Sequence, residues 1–298
     1  VLLDGGVGSE IVRRGVRWRW HGLRTDAEAV KKIHQDYVAA GADVISTDTF
    51  QLTRRIYLNL FHNLEHMRRI GAPGLERRAE ELTRLAVSLA REAAAGAGGG
   101  RRVAVAGVVG PLGHPFRPDL APSAEEARRE HAETVRLLSE CGCDLILFEC
   151  MNTVAEAEGA VEAARDVRRD LPVWVSFVCE PGGRILSGEG LAEAARALEP
   201  LAPEALLVNC APAAEVEEAV AALAGSTRRP VGAYAHVGRF DPPSWKFEFH
   251  PRFVKTEEWP PVRYAEAARA WTRKGARIVG GCCGTTPDHV RAMSEVRT

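Results

Sequence analysis

The sequence predicts an α/β fold, a single-domain (β/α)8 TIM barrel over residues 1–298. Three observations predict it: eight short apolar runs, a helical stretch between successive runs, and a length of 298 residues that suits one barrel. The runs are Val1 to Leu3, Asp43 to Thr47, Val103 to Val109, Leu145 to Glu149, Val173 to Val178, Ala205 to Asn209, Val231 to Ala235 and Arg277 to Gly280. Each is too short for a helix and nearly all apolar, as parallel strands covered on both faces must be. An open doubly wound sheet divided at the link Gly96 to Gly100 is the rival; the constant strand-then-helix order favours the barrel.

The helices between them carry their own signals. Val30, Ile33 and Tyr37 share one helical face, and Gly41 stops that helix. Leu75 to Ala95 reads as one long helix. Ser123 with Glu126, and Thr153 with Glu156, have the spacing of a capping box. Leu191, Ala195 and Leu198 mark a further helix, as do Val216, Val220 and Leu223. Thr286 followed by Pro287 supplies an N-cap and a first-turn proline for the last one.

Composition narrows the function. With 39 basic and 40 acidic residues the formal charge is −1, which argues against a protein built to neutralise nucleic-acid phosphates. Apolar residues make up 46%, enough for a large core. The longest apolar stretch, Val103 to Gly113, is far short of the ~20 residues that span a membrane. The opening VLLDGG lacks a secretory signal pattern. Seven cysteines, two of them adjacent, do not make a disulfide framework, so a reducing, cytoplasmic setting is expected. Association into a homo-oligomer is left open.

In such barrels chemistry sits at the carboxyl ends of the strands. Three cysteines lie at two of these ends: Cys210 after the sixth run, and Cys282 with Cys283 after the eighth. Alternate strands of a small barrel point side chains into a shared layer, so the two ends can converge. Three converging thiolates make a soft-metal site, with Zn²⁺ its usual occupant, and three ligands rather than four leave an open, catalytic position. The alternative is that these are ordinary buried cysteines. The flanking glycines of GGCCG favour the metal, because they let the backbone turn tightly enough to present neighbouring thiols.

These residues reach a known family. Cys210 in VNC and Cys282-Cys283 in GGCCGTTPDHV resemble the zinc-thiolate signature of the homocysteine S-methyltransferase family. LLDGGVGSE, HQDYVAAGADVISTDTFQLTRR and LILFEC are similar to its first-strand, second-strand and fourth-strand segments, in register from residue 1 to about 295. The resemblance implies Zn²⁺ held by Cys210, Cys282 and Cys283, and an enzyme that methylates homocysteine to methionine. It further implies that Glu149 binds the substrate ammonium and that Asp4, Gly5 and Gly6 touch the same substrate; Asn209 joins this set beside Cys210. Three departures stand out: Asp48 where the family commonly has Asn, Tyr234-Ala235-His236 where it has a Pro-Asn motif, and the loop GPLGHPFRPD after the third run. They leave open a related thiol or selenol methyltransferase, or a zinc-binding barrel without transferase activity.

The chemistry follows from sulfur. A free thiol is only about 3% ionised at pH 7, whereas a metal-bound one is deprotonated outright. Eight units use the whole sequence given, so a small donor with a positive centre is expected: S-methylmethionine, S-adenosylmethionine or betaine. Trp20, Trp245 and Trp259 are candidates to face that cation. A zinc hydrolase is disfavoured, since three thiolates poorly activate water. Other signals carry less. His62 to His66 matches H-x-x-E-H without a third ligand. Cys141 and Cys143 precede the fourth run, on the face that carries stability, while Cys150 and Cys179 sit at productive strand ends outside the signature. The basic, aromatic run Arg13 to His21 reads as a loop over the mouth, and GGVGSE falls short of a dinucleotide motif.

Overall fold

The computed structural model describes residues 1–17, 19–53, 55, 75–180, 182–241, 252–255 and 257–295. Its centre is a parallel sheet of β1 (Val44–Ser46), β2 (Ala104–Val109), β3 (Leu145–Met151), β4 (Val173–Glu180), β6 (Ala205–Pro212), β7 (Val231–His236) and β10 (Ala276–Gly281), in that order. The ring closes through the N-terminus, where Leu2 bridges Val279 and Leu3 bridges Val44, both in parallel. The run Val1 to Leu3 is thus reduced to two bridge pairs, but it fills the eighth position between β10 and β1. The architecture is the α/β, (β/α)8-like barrel that the periodicity predicts.

Nine α-helices lie among the described residues: α1 (Val7–Arg13), α2 (Ala27–Ala39), α3 (Leu75–Ala95), α4 (Ala124–Glu140), α5 (Val154–Val167), α6 (Leu191–Leu198), α7 (Val216–Ala224), α8 (Pro261–Arg273) and α9 (Pro287–Glu295). The strands divide their side chains by alternation. Val44, Ala106, Val108, Leu145, Leu147, Ala205, Leu207 and Ile278 fill the inside of the barrel. Ile45, Val105, Ile146, Val173, Val175, Leu206 and Val208 pack outward against the helices. Burial on both faces is why these runs are so uniformly apolar.

The helix ends follow the predicted caps, with one instructive difference. Ser123 and Glu126 complete a reciprocal capping box at α4. At α5 Thr153 accepts from the Glu156 N–H, but the Glu156 carboxylate is diverted. It accepts the Leu112 N–H at 2.6 Å and the His131 Nε2–H at 3.2 Å, both out of contact with water. A side chain that the cap leaves free is used to hold the loop after β2. At α9 the ring of His289 reaches back to the Thr286 N–H, 3.1 Å away, taking the place of a capping carboxylate.

Two hairpins escape the sequence reading. β5 (Arg184–Ile185) folds back on β4, and β8 (Gly238–Asp241) pairs antiparallel with β9 (Arg252–Lys255) directly after β7. Strands of two and four residues are too short for a period-2 pattern to stand out. His62 to His66 and Trp245 lie outside the described residues, as does the side chain of Trp20.

Candidate active site

The carboxyl ends of the strands meet in a mouth lined by sulfur, carboxyls and apolar rings. Cys150, Cys210, Tyr234, Cys282 and Cys283 belong to the cluster inside the barrel, together with Phe50, Phe116 and Leu186. β6 and β10 are separated in the sheet only by β7, so their ends lie near one another. The backbone then fixes the details. Cys282 N–H donates to the Ala235 carbonyl at 2.9 Å, and Val237 N–H to the Cys283 carbonyl at 3.0 Å, which stitches the cysteine pair to the end of β7.

The first-strand segment pins the same loop from the other side. Thr285 Oγ1 donates to the Cys282 carbonyl at 2.6 Å and accepts the Gly6 N–H at 3.1 Å. Ser9 Oγ accepts the Gly284 N–H at 2.9 Å. Tyr37, from the predicted apolar face of α2, donates its hydroxyl to the Thr285 carbonyl at 3.2 Å. Gly6 is needed here for closeness: a Cβ on it would stand 2.6 Å from the Cys282 carbonyl oxygen. Its amide is the donor of the hydrogen bond to Thr285 Oγ1.

The three predicted sulfurs come together. Cys282 and Cys283 Sγ are 3.9 Å apart, Cys210 and Cys283 Sγ 4.0 Å, and all three lie within 4.8 Å of one another. Thiolates around a tetrahedral Zn²⁺, each at about 2.3 Å, would be separated by about 3.8 Å. The donor set and its spacing therefore fit such an ion. Hydrogen bonds link Cys283 to both of the other thiols. Hydrogen bonds from Cys210 and Cys282 pull Cys283 down to about 5, while Cys210 is pushed well up by its contacts with Cys150, Cys282 and Cys283.

Two carboxyls border the sulfurs. Asp4 accepts the Ser46 N–H at 2.7 Å and the Ser46 hydroxyl at 2.8 Å. Burial nonetheless raises it to about 7. Glu149 is raised to about 8, first by burial and then by negative charge at Cys282, with the Tyr234 hydroxyl acting in the opposite direction. Asp48, just after β1, is also a buried carboxyl: burial holds it well above the usual carboxylate range, and its Oδ2 has no hydrogen-bond partner among the described residues. On either side of it Thr47 and Thr49 share a hydrogen bond at 2.7 Å and both bond the backbone at Val108.

Asn209 is fully buried and ties strand ends together. Its Oδ1 accepts from Ser176 Oγ at 2.8 Å and from the Cys150 N–H at 3.3 Å, and its Nδ2 donates to Cys150 Sγ at 2.9 Å. His236 sits beside this group, lowered to about 4 by burial and hydrogen-bonded to the Cys210 backbone. The structure separates two cysteines that the sequence treats alike. Cys150 faces the mouth, whereas Cys179 packs in the outer core among the helices. Cys141 and Cys143 lie before β3, at the opposite end of the barrel from the mouth. Trp259 is already engaged, with the Arg263 guanidinium 4.4 Å above its ring. Sequence reasoning missed Ser9, Ser46, Tyr234 and Thr285 as site builders. Ser9, Ser46 and Thr285 lie inside the motifs LLDGGVGSE, HQDYVAAGADVISTDTFQLTRR and GGCCGTTPDHV, and Tyr234 opens the departure after the seventh run, so each left a signal without a role.

Known proteins resemble this chain along nearly its whole length. Homocysteine S-methyltransferase YbgG of Bacillus subtilis (strain 168) is 28% identical over 319 residues, covering 99% of this chain and 93% of its own. Selenocysteine Se-methyltransferase of Brassica oleracea var. italica is 28% identical over 323 residues, covering 99% and 88%. Among solved structures, the metallated form of the homocysteine methyltransferase MmuM from Escherichia coli shares the fold, with a TM-score of 0.79 at 24% identity over 100% of this chain and 96% of that one. The family model described as Homocysteine S-methyltransferase matches residues 1–297, and the chain belongs to that family.

Proposed function

We propose that this single-domain chain is a zinc-dependent S-methyltransferase that converts homocysteine to methionine, taking the methyl group from a small cationic donor such as S-methylmethionine, S-adenosylmethionine or betaine. The observation that carries the proposal is the triangle of sulfurs from Cys210, Cys282 and Cys283, spaced for one tetrahedral ion. Bound there, Zn²⁺ supplies the means of keeping a substrate thiol ionised at neutral pH. Three thiolates from the chain leave one position for that thiol and surround it with negative charge, which keeps its sulfur electron-rich.

The remaining residues hold and orient. Asp4, fixed by Ser46, and Glu149 receive the substrate ammonium. Both carboxyls are raised by burial, and an entering cation offsets that penalty and draws their protons away. Gly5 and Gly6 touch the same substrate, and their lack of a Cβ lets this segment pack closely: a Cβ on Gly5 would lie 2.7 Å from the Tyr37 hydroxyl. Asn209 holds the ends of β3 and β6 in place. Phe50, Phe116 and Leu186 supply apolar walls that exclude water and so strengthen the charge contacts inside. The substrate sulfur forms its bond to the methyl carbon as the donor's bond to that carbon breaks. The donor then leaves without its positive charge, which removes its attraction to the acidic mouth.

A selenol acceptor is the second reading, supported by the likeness to selenocysteine Se-methyltransferase. Its selenium would take the position of the thiol sulfur. Seven free cysteines suit a reducing cytoplasm, and no helix among the described residues is long and apolar enough to cross a membrane. The test is a metal assay followed by turnover of homocysteine and selenocysteine with each donor, with and without a chelator. Stoichiometric zinc and a chelator-sensitive activity restored by zinc are expected. A Cys210→Ala protein that keeps full zinc and full turnover would overturn the reading.

A further inference from the structure

Three consecutive residues at the end of β7 each hold one cysteine of the sulfur triangle by its backbone. The Ala235 carbonyl accepts the Cys282 N–H at 2.9 Å, and the Val237 N–H donates to the Cys283 carbonyl at 3.0 Å. Between them the ring of His236 hydrogen-bonds the Cys210 backbone. This bracket is clamped from outside by the Tyr264 hydroxyl of α8, which accepts the Ala235 N–H at 3.0 Å and lies 2.8 Å from the Gly280 carbonyl. The two outer contacts run from main chain to main chain, so almost any residue could make them. Only the central one depends on a side chain, and His236 belongs to the segment where this sequence departs from the family's Pro-Asn motif.

Cys210 needs such a partner. Its backbone is left-handed, with φ of +51°, a conformation that is costly for a residue with a Cβ. β6 pairs with β4 as far as Asn209, and with β7 at Asn209 and again at Pro212, so Cys210 falls in the slip without a register partner on either side. It is 6% exposed, and a buried carbonyl outside the ladder must find its donor elsewhere. Beyond the slip Pro212 lies opposite His236, which sets the imidazole beside the unpaired residues. His236 is equally buried, so the contact is shielded from water. Resting on the metal-site reading above, we infer that His236 is a positioning residue: its ring N–H holds the Cys210 carbonyl, keeps that backbone left-handed and so aims the Cys210 sulfur at the ion shared with Cys282 and Cys283. His236 itself stays off the metal. Metal–ligand distances tolerate only about 0.2 Å, so a Cys210 backbone free to relax would take its sulfur out of range.

The experiment compares wild type, His236→Gln, which keeps an N–H donor, and His236→Leu, which keeps bulk without one. Chelator competition measures zinc affinity, and absorption spectroscopy follows each protein loaded with cobalt(II). Zinc affinity should fall about tenfold to a hundredfold in His236→Leu and stay within about threefold of wild type in His236→Gln. The sulfur-to-cobalt charge-transfer band should shift or weaken in His236→Leu and match wild type in His236→Gln. A protein that was merely less stable would give the wild-type band from its folded molecules. X-ray absorption of zinc-loaded wild type should show sulfur and no imidazole ligand. An imidazole on the metal overturns the inference, and that measurement decides even if neither variant folds. Wild-type affinity and spectrum in His236→Leu, or equal losses in both variants, overturn it while leaving the three-cysteine site intact. A wild-type protein that takes up no stoichiometric metal overturns the site reading and this inference together.

Discussion

Replacing Gly6 by Ala adds a single carbon, yet the structure puts that carbon against the support of the metal loop. The backbone at Gly6, φ −69° and ψ 93°, is extended and open to any residue, so the change carries no conformational penalty of its own. The new Cβ would lie 2.6 Å from the Cys282 carbonyl oxygen and 2.5 Å from Ser9 Oγ. Real Cβ contacts essentially never fall under 3.0 Å, so the carbonyl or Gly6 must yield by at least about 0.4 Å. The carbonyl cannot yield alone, because it accepts from Thr285 Oγ1 and Thr285 N–H, and Ser9 holds the Gly284 N–H. Metal–ligand distances tolerate about 0.2 Å, so the strain should reach the sulfurs. We expect zinc affinity to fall about tenfold to a hundredfold, the range seen when support for metal ligands is lost. Overpacking should cost about 1–3 kcal/mol in stability. Chelator competition measures the first and urea denaturation of the apo protein the second. Gly98→Ala is the control, since a Cβ there meets nothing within 4 Å. Wild-type zinc affinity in Gly6→Ala would refute the reasoning.

Tyr264→Phe removes a buried hydroxyl that accepts the Ala235 N–H at 3.0 Å and lies 2.9 and 2.8 Å from the Ala235 and Gly280 carbonyls. The expected loss is about 1–3 kcal/mol by urea denaturation, and a change under about 0.5 kcal/mol counts against it. Asp4→Asn tests a raised carboxyl, about 7 when folded against 3.8 for the free group. The folded chain keeps a proton that the unfolded chain has released, so the Asp4 contribution is complete below about pH 4 and disappears as pH rises through 7. Apo-protein stability should therefore decline less between pH 5 and pH 8 in the variant, and parallel pH profiles would contradict the assignment. Gly159→Ala places a Cβ against the Ala124 carbonyl, where α4 and α5 pack. It should destabilise the apo protein by about 1–3 kcal/mol while leaving zinc affinity unchanged.

Much of the fold is legible because burial on both faces of a closed sheet leaves strands with nearly no polar residues. That is why Leu145 to Glu149 and Ala205 to Asn209 stand out, and why the helices between them declare themselves through Ser123, Thr153 and Pro287. The sulfur triangle is legible for a related reason: strand order brings the ends of β6 and β10 to either side of β7. Glu156 shows where local reading stops. Its spacing from Thr153 announces a cap, but its carboxylate goes to Leu112 and His131, residues far away in sequence.

By itself the sequence determined the class of fold and the cysteines that meet, because periodicity and strand-end position are local properties of the chain; Asp4 and Glu149 were singled out by the family resemblance. Only tertiary structure decided that Cys150 faces the sulfurs while Cys179 faces the helices, that the Gly6 amide serves Thr285, and that Trp259 is covered by Arg263. Each of these depends on a register slip or on a contact between distant segments. Such contacts are set by how the layers pack, and no pattern within a single segment encodes them.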